Sequence, residues 1–137
     1  MDYNSEGLLL LTNDGKLARF LEHPSSRIER TYLVRVHGNV TQAHLEQFKR
    51  GSLIGGVQYG RMEATLVNPA STKTASSATW IKVKLWEGKN REIRKVFEHF
   101  HMHVARLIRI QYGPYKLKSG LKRSQVRRVE IADHFKH

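Results

Sequence analysis

Apolar and polar residues change rhythm along this chain often enough to outline its elements. Four consecutive leucines at 8–11, closed by Thr12, Asn13, Asp14 and Gly15, predict a short buried strand that ends at a turn. Asn13 or Asp14 then caps a short helix running to about His23, with Leu17, Phe20 and Leu21 on one side and Pro24 as its stop. In TYLVRVHG at 31–38, Tyr32, Val34 and Val36 alternate with Leu33, Arg35 and His37, the period of a strand. Thr41 stands where it caps a helix over QAHLEQFKR, with Leu45 and Phe48 inward and Gly51 at the left-handed position that ends it.

After the glycine-rich GSLIGG, the stretch RMEATLV predicts another strand, and the polar NPASTKTASS reads as an exposed hairpin loop. ATWIKVKLWEG sets Trp80, Lys82 and Lys84 against Ile81, Val83 and Leu85, a half-buried strand with lysines on its open face. NREIRKVFEHF then changes to helical spacing, with Ile93, Val96, Phe97 and Phe100 on one stripe. VARLIRIQYG alternates again and is expected to place Arg106 and Arg109 near the polar surface or edge of the sheet. Strands and helices alternate irregularly, and the connections are too short for repeated parallel crossovers. An α+β fold follows, with a mixed, mainly antiparallel sheet and a few helices.

Length and composition narrow the function. With 137 residues and 39% hydrophobic residues, a single folded domain is expected. There is no cysteine, which removes disulfides, thiolate nucleophiles and cysteine-based zinc sites and fits a reducing cytoplasm. The leucine run is far shorter than a membrane span, and no secretory signal precedes it. Lys and Arg number 24 against 12 Asp and Glu, a formal charge of +12. A field of that sign attracts polyanions, and without a long basic amphipathic helix the expected partner is nucleic acid, not a membrane.

Particular segments sharpen this. EGKNREIRK gathers Lys89, Arg91, Arg94 and Lys95 at a strand-to-helix junction, where unpaired helix N–H groups also favour phosphate; it is not a Walker A loop. His101 and His103 in HFHMHV share a side of a strand, but no carboxylate cluster beyond Glu98 accompanies them, so no metal is expected. Tyrosines and Trp80 lie among cations, as base-stacking surfaces do, and Tyr32, just after Arg27 and Arg30, is the best single candidate.

Four segments, DYNSEGLLLLTNDG, RTYLVRVHG, EGKNREIRKVFEHF and VARLIRIQYGPYKL, together with the tail GLKRSQVRRVE, resemble in order the blocks of one family. It is the bacterial ribosomal RNA pseudouridine synthases of the RsuA/RluB/RluE/RluF group. The resemblance implies that Asp2 is the catalytic carboxylate, that Arg94 pairs with it, and that Tyr32 stacks on the target base. It implies ribosomal RNA as partner and neither cofactor nor metal. Lys89, Asn90, Arg91, Lys95, Arg106 and Arg109 are the cations and amide expected to hold the RNA.

The family's Gly-Arg-Leu run before the Asp, its upstream strands and its small S4-type RNA-binding domain have no counterpart here. Residues 1–137 are therefore expected to be the C-terminal part of a catalytic domain, with Asp2 poorly held and turnover weak. A non-catalytic RNA-binding fragment is the alternative. Two departures stand out: His101 replaces a glycine common after the helix, and KRS at 122–124 stands where relatives often carry proline or glycine.

Overall fold

The computed structural model describes residues 6–9, 13–67, 78–89 and 91–116. Asp2, Asn90, the loop at 68–77 and the tail from 117 onward lie outside them. In chain order the elements are β1 (Glu6–Gly7), α1 (Gly15–Glu22), a 3-10 turn (Pro24–Ser26), β2 (Arg30–His37), α2 (Gln42–Arg50), β3 (Ser52–Ile54), β4 (Val57–Tyr59), β5 (Met62–Leu66), β6 (Ala78–Leu85), α3 (Glu92–His99), β7 (His103–Tyr112) and β8 (Tyr115–Lys116). Six strands form one sheet in the order β1-β7-β2-β6-β5, with β8 paired to the end of β7. The β1–β7 pair is parallel and the rest are antiparallel, which is the α+β arrangement expected.

The local chemistry explains most elements. Asp14 caps α1, its Oδ1 accepting the N–H groups of Lys16 at 3.0 Å and Leu17 at 3.2 Å. Thr41 caps α2 through the His44 N–H at 3.2 Å, and the His44 ring nitrogen Nδ1 accepts the Thr41 N–H in return. A helix-terminating Gly51 follows, with φ of 82°. The GSLIGG stretch, noted above only as glycine-rich, opens a hairpin: β3 and β4 pair across Gly55 and Gly56, whose φ of 57° and 81° suit a two-residue turn.

The core lies on one face of the sheet. Val34, Val36, Ile81, Val83, Met62, Val104 and Leu107 point from the strands toward Phe48 of α2 and toward Ile93, Val96 and Phe97 of α3. Phe48 and Phe97 stack at 4.9 Å between centroids, joining the two helices. A smaller cluster of Leu21, Ile28 and Tyr112 fastens α1 below β7.

At Leu8 and Leu9 the leucine run departs from expectation, while Leu10 and Leu11 lie outside the described residues. The strand is Glu6–Gly7, both residues are exposed, and Leu9 remains 58% exposed, whereas Leu8 packs on the smaller cluster. Pairing occurs at Gly7 because a Cβ there would lie 2.2 Å from the Arg109 carbonyl oxygen, and φ is 102°. Only glycine lets the two backbones come this close.

Candidate active site

Tyr32 lies mid-sheet on β2, opposite Val83 on one side and Arg109 on the other. A register irregularity against β7 falls between Thr31 and Tyr32, the kind of local twist that re-aims a side chain. The ring is half-buried and packs on the edge of the core, so one part of it is rigidly held and another is presented.

Arg94 comes from α3 onto the same face. It is 8% exposed, and its Nη1 donates to the Val104 carbonyl of β7 at 3.2 Å. Burying a guanidinium is costly unless acceptors or an anion surround it, so its placement is a strong electrostatic feature. Tyr32 and Arg94 thus share a face but meet β7 at different levels, Arg109 and Val104. Asp2 is outside the described residues.

The segment leading into α3 is held by a carboxyl pair that the sequence did not reveal. Arg91 occupies the helix N-cap with φ of 52° and makes no side-chain cap. Glu92, the first helical residue, instead folds back on the entering loop and accepts the Lys89 N–H at 3.1 Å. Glu92 is 3% exposed, and burial first, then hydrogen bonding to Glu87, pushes its carboxyl up to about 8. Burial also pushes Glu87 upward, but hydrogen bonds from Lys89, Glu92 and the Gly60 backbone outweigh it and hold Glu87 below its usual range. The two carboxyls are thus driven in opposite directions, Glu92 toward its neutral form and Glu87 toward its anion.

Lys89 closes this arrangement. Its Nζ lies 2.6 Å from Glu87 Oε2 and 3.0 Å from the Gln58 carbonyl, bracing the basic loop against the β3–β4 hairpin. Its hydrogen bond to Glu87 raises its pKa, so the ammonium stays charged. The four cations of this segment thus have different settings: Lys89 is ion-paired, Arg94 is buried, and Arg91 and Lys95 face solvent.

Arg106 and Arg109 also separate. Arg106 is exposed and binds Glu6 through two hydrogen bonds of 3.2 and 2.7 Å. Arg109, expected near the polar surface, is instead 7% exposed; its Nε donates to the Leu8 carbonyl at 2.9 Å. Its guanidinium and that of Arg30 lie 4.8 and 5.0 Å from the centroid of the Tyr112 ring. Tyr112 Oη donates to the Leu21 carbonyl at 2.7 Å and accepts from Arg30 at 3.2 Å. Arg109 thus ties the segment after β1 to the sheet. At the histidines, no group of three or more His, Cys, Asp or Glu among the described residues is arranged to hold a metal. His101, which stands where the family resemblance implies a glycine, adopts the left-handed conformation with φ of 63°.

The sequence profile described as RNA pseudouridylate synthase matches residues 1–99. The chain is 46% identical over 129 residues to an uncharacterized RNA pseudouridine synthase of Rickettsia bellii, covering 94% of this chain and 53% of that protein. It is 42% identical over 126 residues to ribosomal large subunit pseudouridine synthase B of Haemophilus influenzae, covering 90% of this chain and 33% of that protein. The chain spans about half the length of the Rickettsia relatives. A crystal structure of a pseudouridylate synthase superposes with a TM-score of 0.84 at 21% identity, over 95% of this chain and 54% of that one, a likeness of fold.

Proposed function

The chain belongs to the RNA pseudouridylate synthase family, and from that premise we propose that it isomerises uridine to pseudouridine in ribosomal RNA. In this reading residues 1–137 form part of a pseudouridine synthase catalytic domain working in the cytoplasm without cofactor. The bond between N1 of uracil and C1′ of ribose breaks, C5 bonds to C1′, N1 takes up a proton, and the C5 hydrogen leaves to solvent. Asp2 is the acting carboxylate. Arg94 keeps it ionised, Tyr32 stacks on the base drawn out of its helix, and Lys89, Asn90, Arg91 and Lys95 hold the flanking backbone.

The observation that carries this reading is the burial of Arg94 on the face that Tyr32 shares. A permanently charged guanidinium held out of water favours the anionic form of a carboxylate beside it far more strongly than a solvated one. Two relatives named as acting on the large ribosomal subunit support ribosomal RNA as substrate.

Release of tritium from ribosomal RNA carrying 5-tritiated uridine measures the reaction directly, because the C5 hydrogen is the atom lost. Slow release by this chain, abolished by Asp2→Asn, is expected. Release that survives Asp2→Asn overturns the assignment of the carboxylate, and no release from any ribosomal RNA overturns the activity.

A further inference from the structure

We propose that the face of the sheet opposite Tyr32, on which no helix among the described residues packs, is a second RNA-binding surface that grips phosphates through Arg35 and Lys82 and stacks a base on Trp80. The inference rests on the reading that RNA is the partner, and adds a surface that the chemistry at Tyr32 and Arg94 does not use.

Strand alternation creates this face. Val34, Val36, Ile81 and Val83 turn toward the core, so Leu33, Arg35 and His37 of β2 and Trp80, Lys82 and Lys84 of β6 turn the other way. Arg106 and His103 of β7 join them, opposite Arg35 and His37, and the two histidine rings stack at 6.4 Å. Helices α2 and α3 pack on the core face, and α1 packs through Leu21 onto Tyr112.

The arrangement of charge is difficult to explain by folding. Arg106, Arg35 and Trp80 form one row across three adjacent strands, with two like charges directly opposite each other. Such a pair costs stability, and a threonine or glutamine would serve a solvated face at no cost. Glu6 neutralises Arg106, and Glu29 lies 3.7 Å from Lys84. Among the described residues no acid pairs with Arg35 or Lys82, which are diagonal neighbours on adjacent strands. Trp80 stands beside these cations, with the Arg106 guanidinium 5.8 Å from its ring centroid. Cations without an acid partner among the described residues, set on a hydrogen-bonded sheet around a half-buried indole, match the phosphate-and-base pattern of single-stranded RNA. A +12 chain brings that partner to the surface.

The test uses the whole 137-residue chain and a fluorescently labelled single-stranded ribosomal RNA segment, titrated from 0.05 to 0.5 M salt. Two lost phosphate contacts lower the log–log salt slope by about 1.4. The double variant Arg35→Gln, Lys82→Gln should show that drop, with affinity at 0.1 M salt reduced roughly 25-fold, given convergence near 1 M. Acetylation of Lys82 in the unaltered protein gives an independent measurement that does not depend on the variant folding: RNA should protect it. An unchanged slope in a folded variant, or a Lys82 equally reactive with and without RNA, overturns the proposal. Protection already complete in RNA-free protein identifies another occupant and also overturns it. Asp2-dependent tritium release separates the two readings, since it persists if this face fails and is absent if the assigned reaction fails.

Discussion

Replacing Glu92 by Gln isolates the raised carboxyl of the α3 entry loop. The amide keeps the oxygen that accepts the Lys89 N–H and removes the titrating proton. In the folded protein Glu92 sits near 8 against 4.5 when solvated. A carboxyl whose folded value is raised adds its full stability below about pH 4.5, loses it progressively as pH rises to about 8, and loses no more above that. The complete shift corresponds to on the order of 4 kcal/mol, an upper bound on the observable loss. Chemical denaturation of wild type and Glu92→Gln from pH 4.5 to 8.5 at fixed ionic strength measures it, and other titrating groups, histidines included, cancel in the difference. The variant should match wild type near pH 4.5 and exceed it by up to that margin at pH 8.5. A difference that does not change with pH would refute the raised carboxyl and the cause assigned to the shift.

Three further outcomes are expected. Tyr32→Phe should keep RNA affinity, whereas Tyr32→Ala should lose about 1–3 kcal/mol by anisotropy titration; equal damage would make the phenol oxygen the working atom. Gly7→Ala should detach β1 from β7, because its Cβ would strike the Arg109 carbonyl at 2.2 Å, lowering stability by on the order of 2 kcal/mol and exposing the segment to limited proteolysis. His101→Gly should raise stability by up to about 1 kcal/mol by relieving a left-handed histidine, read as a higher Tm; an unchanged or lower Tm would show that the histidine side chain contributes more than the strain costs.

Much of this fold was legible in short windows of sequence. Alternation at Tyr32–His37 and Trp80–Leu85, the apolar stripe from Ile93 to Phe97, and the caps at Asp14 and Thr41 all express physics local to a few residues: side-chain period, capping and steric preference. The blocks that place Tyr32 and Arg94 in a family were legible for the same reason, being contiguous.

What the tertiary structure decided depends on partners far along the chain. Arg109 reads as a surface cation by alternation, but the Leu8 carbonyl that draws it inward lies 101 residues away. Nothing in its own window marks Glu92; burial beside Glu87, and Lys89 tied to the Gln58 carbonyl of the β3–β4 hairpin, make it part of a coupled carboxyl pair. The four leucines read as a buried strand because hydrophobicity is all that a window reports. Among the described residues the pairing is at Glu6 and Gly7, where the close approach of the Arg109 backbone requires a residue without a Cβ. Sequence patterns state which side chains leave water. Which groups they meet is set by strand order and register, and those meetings fix the charge of Glu92 and the burial of Arg109.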